Sequence, residues 1–310
     1  MDGTSIAIRK ERAGLVTKLR LACALGILAI AALAAAPAGA FELKPFKDRL
    51  FAYPGILEVR DGGAYIVVDY REMRDINERD RVPERRVNRR YVDLMPRRRQ
   101  SEQTLRTDAG ELKFFAVGDP RRARIVTVYI HGRGGDRKQG VNDYSFGGNF
   151  NRIKNLMVRN NGVYIAPDGG NLRDSDIARI RALLHAVYRQ IPGARLVLAC
   201  GSAGGAVCHA LAQDGQTAGR LAGIALLGSF GSDSFFGSPA YRNRVPVFIA
   251  HGGSDSVIPV EGAETFYRNL RRTEGYPVRM VRFETGSHGT PIRMTDWRDM
   301  INWMLRARQP

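Results

Sequence analysis

The residues of this chain best placed to do chemistry are a serine, an aspartate and a histidine, each in a short loop behind an apolar run. Ser202 stands in Leu198-Ala-Cys-Gly-Ser-Ala-Gly-Gly-Ala-Val207, with small residues at −2 (Cys200), −1 (Gly201), +2 (Gly204) and +3 (Gly205). Asp255 stands in His251-Gly-Gly-Ser-Asp-Ser-Val-Ile-Pro259, and His288 in Glu284-Thr-Gly-Ser-His-Gly-Thr-Pro291. A serine hydroxyl is a weak nucleophile until an imidazole within hydrogen-bond reach takes its proton. A carboxylate on the far side of the ring holds the tautomer and stabilises the imidazolium. Such a set attacks an acyl carbon, and backbone N–H groups must then meet the oxyanion that forms. The Gly-rich run His131-Gly-Arg-Gly-Gly-Asp136 offers them.

These side chains need elements to carry them. Ala194–Cys200 reads as a short buried strand and Ala203–Ala212 as a tightly packed helix. A strand that becomes a helix within a few residues drives the apex into a sparsely allowed backbone region, and small neighbours let the two arms approach. The bland alternative is a Gly-rich turn packed for steric reasons alone. Further strands are read at Arg124–Ile130, Gly162–Ala166, Leu221–Leu227, Val245–Ala250 and Val278–Phe283. Helices are read at Asn151–Arg159, Asp174–Gln190, Glu261–Arg271 and Trp297–Arg306, with Asp174 or Ser175 as a cap. Strands alternating with helices predict a doubly wound, mostly parallel sheet. Loops at the carboxyl ends of its strands would then share one edge, where such sheets build their sites.

Ahead of that alternation, Ile56–Asp69 holds two β-rich runs around Asp61-Gly62-Gly63, a hairpin signal, and Glu111–Gly118 is a strand candidate. Residues 71–106 differ in composition, with twelve arginines and seven acidic side chains among few apolar anchors. That stretch reads as a mixed-charge surface segment, partly helical and mobile, with Arg97-Arg98-Arg99 a solvated charge run before it is an anion site. The expected organisation is a signal peptide over 1–40, a hairpin and Arg-rich segment over 41–110, and a catalytic domain over 111–310.

The chain order Ser202, Asp255, His288 and the four loops quoted above resemble those of α/β-hydrolase-fold serine esterases, the small secreted lipases, carboxylesterases and polyester depolymerases. The resemblance runs from about Ile125 to Leu305, and departs from the usual elbow by Cys200 where glycine is common. It implies an α/β-hydrolase sheet, Ser202 as nucleophile, His288 as base and Asp255 as orienting acid. It implies an oxyanion hole from the backbone N–H groups of Ala203 and Arg133, with Gly134 as the alternative. It implies hydrolysis of carboxylic esters with no metal or organic cofactor.

Other residues compete for these roles. His251 opens the aspartate loop and is a second-choice base. Asp168, in Pro167-Asp-Gly-Gly170, is an alternative acid whose setting is first a turn. Asp233 is a weaker one. His131 reads as structural, orienting the oxyanion loop, while His185 and His209 lie on helices. Phe230, Phe235, Phe236 and Tyr241 form a short aromatic loop that fits either an acyl pocket or a minor core. The Gly-rich loop lacks the Gly-Lys-Ser/Thr ending of a phosphate cradle.

The formal charge of +17 favours anionic surfaces or acidic substrates by long-range steering. Basic residues interleaved with stacking aromatics are absent, so nucleic acid is not an expected partner. Basic residues before Arg20, the apolar run Leu21–Ala36, Pro37 and Ala38-Gly39-Ala40 have the order of a secretory signal peptide, with export as the expectation and an uncleaved anchor as the alternative. Cys200 and Cys208 do not make a disulfide framework and are expected as buried free thiols. Two other readings stay open. The same three residues would serve a serine peptidase or amidase. A catalytically silent module could instead dock anionic envelope components through its basic segment.

Overall fold

The computed structural model describes residues 41–81 and 86–308. The expected signal peptide lies outside the described residues. No helix among those described is long and apolar enough to cross a membrane.

Ten strands form one sheet in the order β1-β2-β12-β11-β10-β9-β7-β8-β6-β5. They are β1 (Ile56–Arg60), β2 (Tyr65–Val68), β5 (Gln100–Thr107), β6 (Gly110–Val117), β7 (Ile125–Ile130), β8 (Gly162–Pro167), β9 (Arg195–Gly201), β10 (Leu221–Leu227), β11 (Val247–Gly252) and β12 (Val278–Phe283). The run from β2 to β8 is parallel throughout. Antiparallel β1 closes one end, and β6 and β5 close the other. A separate two-stranded ladder joins β3 (Asp80–Arg81) to β4 (Arg86–Val87).

Every residue of β7, β8, β10 and β11 is buried. Unbroken apolar strands are what a parallel sheet covered on both faces requires. One face carries the helices Asn149–Arg159 and Trp297–Ala307, which touch each other. The other carries Asp174–Gln190, Gly205–Ala212 and Val260–Arg271. Strand and helix bounds thus fall within a few residues of the expected ones, and the sheet is the predicted mostly parallel, doubly wound one.

Three expectations change. The hairpin β1–β2 is joined to the main sheet, a pairing the sequence did not show: β2 runs parallel to β12, Tyr65 opposite Met280 and Val68 opposite Phe283. Hairpin and catalytic region fall in the same compact unit, Glu42–Pro310. Residues 71–106 hold the helix Glu72–Arg79 and all but one residue of strand β5, and they bury Asp75, Arg79 and Asp80. Arg79 stacks over Phe51 and Tyr91, and Asp80 takes a 2.8 Å bond from Arg293. Composition misleads here because charges that find partners can be buried. Thirdly, neither Asp174 nor Ser175 caps its helix. Asp176 does the work one turn in, its carboxylate accepting from the backbone of Arg173 and Asn171.

Candidate active site

Four loops leave the carboxyl ends of β7, β9, β11 and β12, all on one edge of the sheet. After β9 the chain enters a turn at Ser202–Gly204 and then the helix Gly205–Ala212. Ser202 sits at φ +51°, a left-handed conformation unusual for a residue with a side chain. Such strain persists only where the surroundings over-determine it. Here they do: a Cβ on Gly205 would lie 1.9 Å from Ser229 Oγ, and that hydroxyl donates to the Ser202 carbonyl at 2.7 Å. The elbow is also bridged covalently. Cys200 and Cys208 form a disulfide, with Cα atoms 6.2 Å apart, in place of the two free thiols expected. The turn does not hold them apart; it folds the first helical turn back alongside the strand end.

Ser202, His288 and Asp255 form one hydrogen-bonded chain. His288 Nε2 lies 2.8 Å from Ser202 Oγ, and His288 Nδ1 lies 2.8 Å from Asp255 Oδ2. The aspartate side chain is fully buried, while the imidazole keeps about a quarter of its surface exposed. Asp255 Oδ1 accepts the backbone N–H groups of Val257 and Ile258 at 2.9 and 3.0 Å, so the buried carboxylate is satisfied on both oxygens.

The loop after β7 packs directly on the serine, since a Cβ on Gly132 would fall 2.8 Å from Ser202 Cβ. Its turn is closed by Gly135 N–H donating to the Gly132 carbonyl at 3.1 Å, with Gly134 at φ +72°. His131 adds a second hold. Its Nε2 accepts the Gly169 N–H at 2.7 Å, which leaves Nδ1 to donate to the Gly132 carbonyl at 2.7 Å. The planar trans peptide then turns the Arg133 N–H to the side opposite that carbonyl.

The competing residues lie elsewhere. His251 donates through Nε2 to the Ile258 carbonyl at 2.7 Å and does not reach the serine. Asp168 pairs with Arg137 at 2.8 Å. His185 binds Asp214, and His209 is buried, with its Nε2 on the Phe230 carbonyl. Asp233 begins the short helical turn Asp233–Gly237. Phe235 and Phe236 pack edge-on with Phe266 and with Tyr241 as part of the main core, and Phe230 alone of the four is exposed.

A cavity of about 380 Å³ opens against the loop that carries His288, lined by Glu72, Ile76, Phe146, Ser287, Gly289 and Arg293. Glu72 was invisible to sequence reasoning, which saw only one acid in a charge run. Among the described residues no group of three or more His, Cys, Asp or Glu side chains could hold a metal.

No family model and no curated protein matches this chain. Solved structures do. A thermostable esterase superposes with a TM-score of 0.53 at 17% identity, over 67% of this chain and 63% of that one. A protein of unknown function from Agrobacterium tumefaciens, put forward as an alpha/beta hydrolase, gives 0.53 at 12% identity, over 67% of this chain and 96% of its own. The acylaminoacyl peptidase of Pyrococcus horikoshii gives 0.50 at 15% identity, over 67% of this chain and 41% of its own. At such identities the likeness concerns architecture, and together with the sheet order it shows that this chain has the α/β-hydrolase fold.

Proposed function

We propose that this protein is a serine hydrolase that cleaves carboxylic esters through an acyl-enzyme on Ser202. The observation that carries the reading is the continuous chain Ser202–His288–Asp255, made of two 2.8 Å contacts at the carboxyl edge of the sheet. His288 Nε2 takes the hydroxyl proton as Ser202 Oγ attacks the acyl carbon, and Asp255 holds the ring and steadies its charge. The oxyanion is met by the N–H groups of Ala203 and Arg133, with Gly134 as the alternative donor. Each such donor lowers the barrier by about 3–4 kcal/mol. Collapse of the tetrahedral species expels the alcohol, which takes its proton from His288. Water then repeats the two steps and frees the acid.

Esterase neighbours favour an ester over an amide; the peptidase neighbour keeps the amide as the second reading. The chain acts, in this reading, as an exported protein. A disulfide between Cys200 and Cys208 supports an oxidising compartment. The charge of +17 supports weak attraction to anionic surfaces.

Hydrolysis of short p-nitrophenyl esters and of matching anilides, by the parent and by Ser202→Ala, tests this. Ester turnover that falls by roughly 10⁵-fold or more in the variant is expected. Anilide turnover exceeding ester turnover would move the protein to the amidases. Equal rates in parent and variant would remove Ser202 as nucleophile. No turnover of either substrate, with salt-sensitive binding to anionic vesicles, would favour the binding module.

A further inference from the structure

His288 stands in a loop with glycine two residues before it and one after, a composition that fixes little backbone by itself. The loop's own bonds are two turns, Gly286 N–H to the Phe283 carbonyl and Thr290 N–H to the Ser287 carbonyl, both 3.0 Å. The loop after β11 holds it through Ser254 N–H on the Gly286 carbonyl at 3.0 Å, and the segment that leaves β2 adds further ties. The Tyr70 carbonyl accepts from Thr285, through the backbone N–H at 3.2 Å and through Oγ1 at 2.9 Å. The Glu72 N–H donates to Thr285 Oγ1 at 3.3 Å.

The Glu72 carboxylate then reaches around the histidine. It accepts the Ser287 N–H at 3.2 Å, the Ser287 hydroxyl at 2.9 Å and the Thr290 hydroxyl at 3.3 Å. These donors lie one residue before and two residues after His288. Glu72 makes no ion pair among the described residues, although arginine dominates its segment, so its charge is directed at this loop alone. Bonds to an ionised acceptor are about twice as strong as neutral ones.

We propose that Glu72 is a positioning residue for His288: its carboxylate braces the loop on both sides of the imidazole and holds Nε2 at bonding distance from Ser202 Oγ. This rests on the hydrolase reading above. A brace of this kind acts on the chemical step, where a misplacement near 1 Å costs on the order of a hundredfold.

The test compares the parent with Glu72→Ala, Glu72→Gln, Ser287→Ala and the Glu72→Ala/Ser287→Ala pair, by steady-state kinetics and by the low-field proton resonance of the His288–Asp255 bond. Glu72→Ala is expected to lower kcat about ten- to a hundredfold with KM within about twofold, and to broaden or remove the resonance. Glu72→Gln should fall between, because its amide oxygen can accept while its NH₂ meets a donor. The double variant should be no worse than Glu72→Ala, since the two act through the same bonds. A parent-like kcat and resonance in Glu72→Ala would overturn the proposal. So would a loss of kcat that follows lowered thermal stability with the resonance unchanged. If the parent itself turns over no ester, the hydrolase reading fails, and the resonance alone decides whether Glu72 holds His288.

Discussion

His251 Nε2 lies 3.4 Å from Asp255 Oδ2, the same oxygen that His288 Nδ1 approaches to 2.8 Å. The two imidazoles flank one buried carboxylate, and the Ile258 carbonyl accepts the His251 Nε2–H at 2.7 Å. His251 thereby shields the inner side of Asp255 and leaves His288 alone facing the serine. Its own Nδ1 is buried without a partner, as suits a ring that stays uncharged.

Acid should therefore destabilise the fold. Burial pushes His251 below the ordinary histidine range, and burial does the same to His209 among Phe230, Phe235 and Phe266. In the unfolded chain both take up protons as pH falls through about 6.5, while the folded chain resists. The unfolded state then binds more protons, so stability rises with pH across that window and is lost on acidification towards the lowered folded values. Urea midpoints at pH 7.5 and pH 5 should differ in that direction, and less so in His209→Gln. An unchanged midpoint would contradict the assignment.

The disulfide should matter to stability. Cys200 and Cys208 close a loop of eight residues' separation around Ser202, for which chain-entropy arguments give about 2–3 kcal/mol. Cys208→Ala should lower the unfolding free energy by about that amount. Under denaturing, non-reducing conditions, thiol titration of mature protein should find no free cysteine at these two positions.

Gly205→Ala should damage the elbow without a change of charge or polarity. The added methyl would lie 1.9 Å from Ser229 Oγ, whose bond to the Ser202 carbonyl must then break or shift. Overpacking of this kind costs about 1–3 kcal/mol, and ester turnover should fall more than stability alone explains. The pair Gly205→Ala/Ser229→Gly should recover part of both losses, which differential scanning calorimetry and kinetics would read.

The Arg-rich segment should behave as core rather than as a tether. Asp80 and Arg293 pair at 2.8 Å with side chains 0% and 9% exposed. Asp80→Ala would strand a buried guanidinium, at a cost of about 3–5 kcal/mol. A stability within 1 kcal/mol of the parent would show that water reaches Arg293 freely.

Most of the sheet was legible because strands buried on both faces spell unbroken apolar runs, as Ile125–Ile130 does. The candidate site was legible because its residues are set locally: Ser202, Asp255 and His288 each follow such a run, and parallel pairing brings their loops to one edge. What failed depends on distance in space. The bridge from Cys200 to Cys208 needs the angle at which strand meets helix, which no spacing encodes. Glu72 and Ser287 are 215 residues apart in sequence. The hairpin was seen, but its parallel pairing with β12, which delivers Glu72 to the histidine loop, is a property of the closed sheet.

The most direct measurement is covalent labelling of the parent, Ser202→Ala and His288→Ala by a fluorophosphonate, read by intact mass and peptide mapping. Single stoichiometric labelling is expected on the peptide that contains Ser202, absent in Ser202→Ala and slowed by several orders of magnitude in His288→Ala. Labelling at another residue, or at Ser202 with the same rate in His288→Ala, would contradict the account.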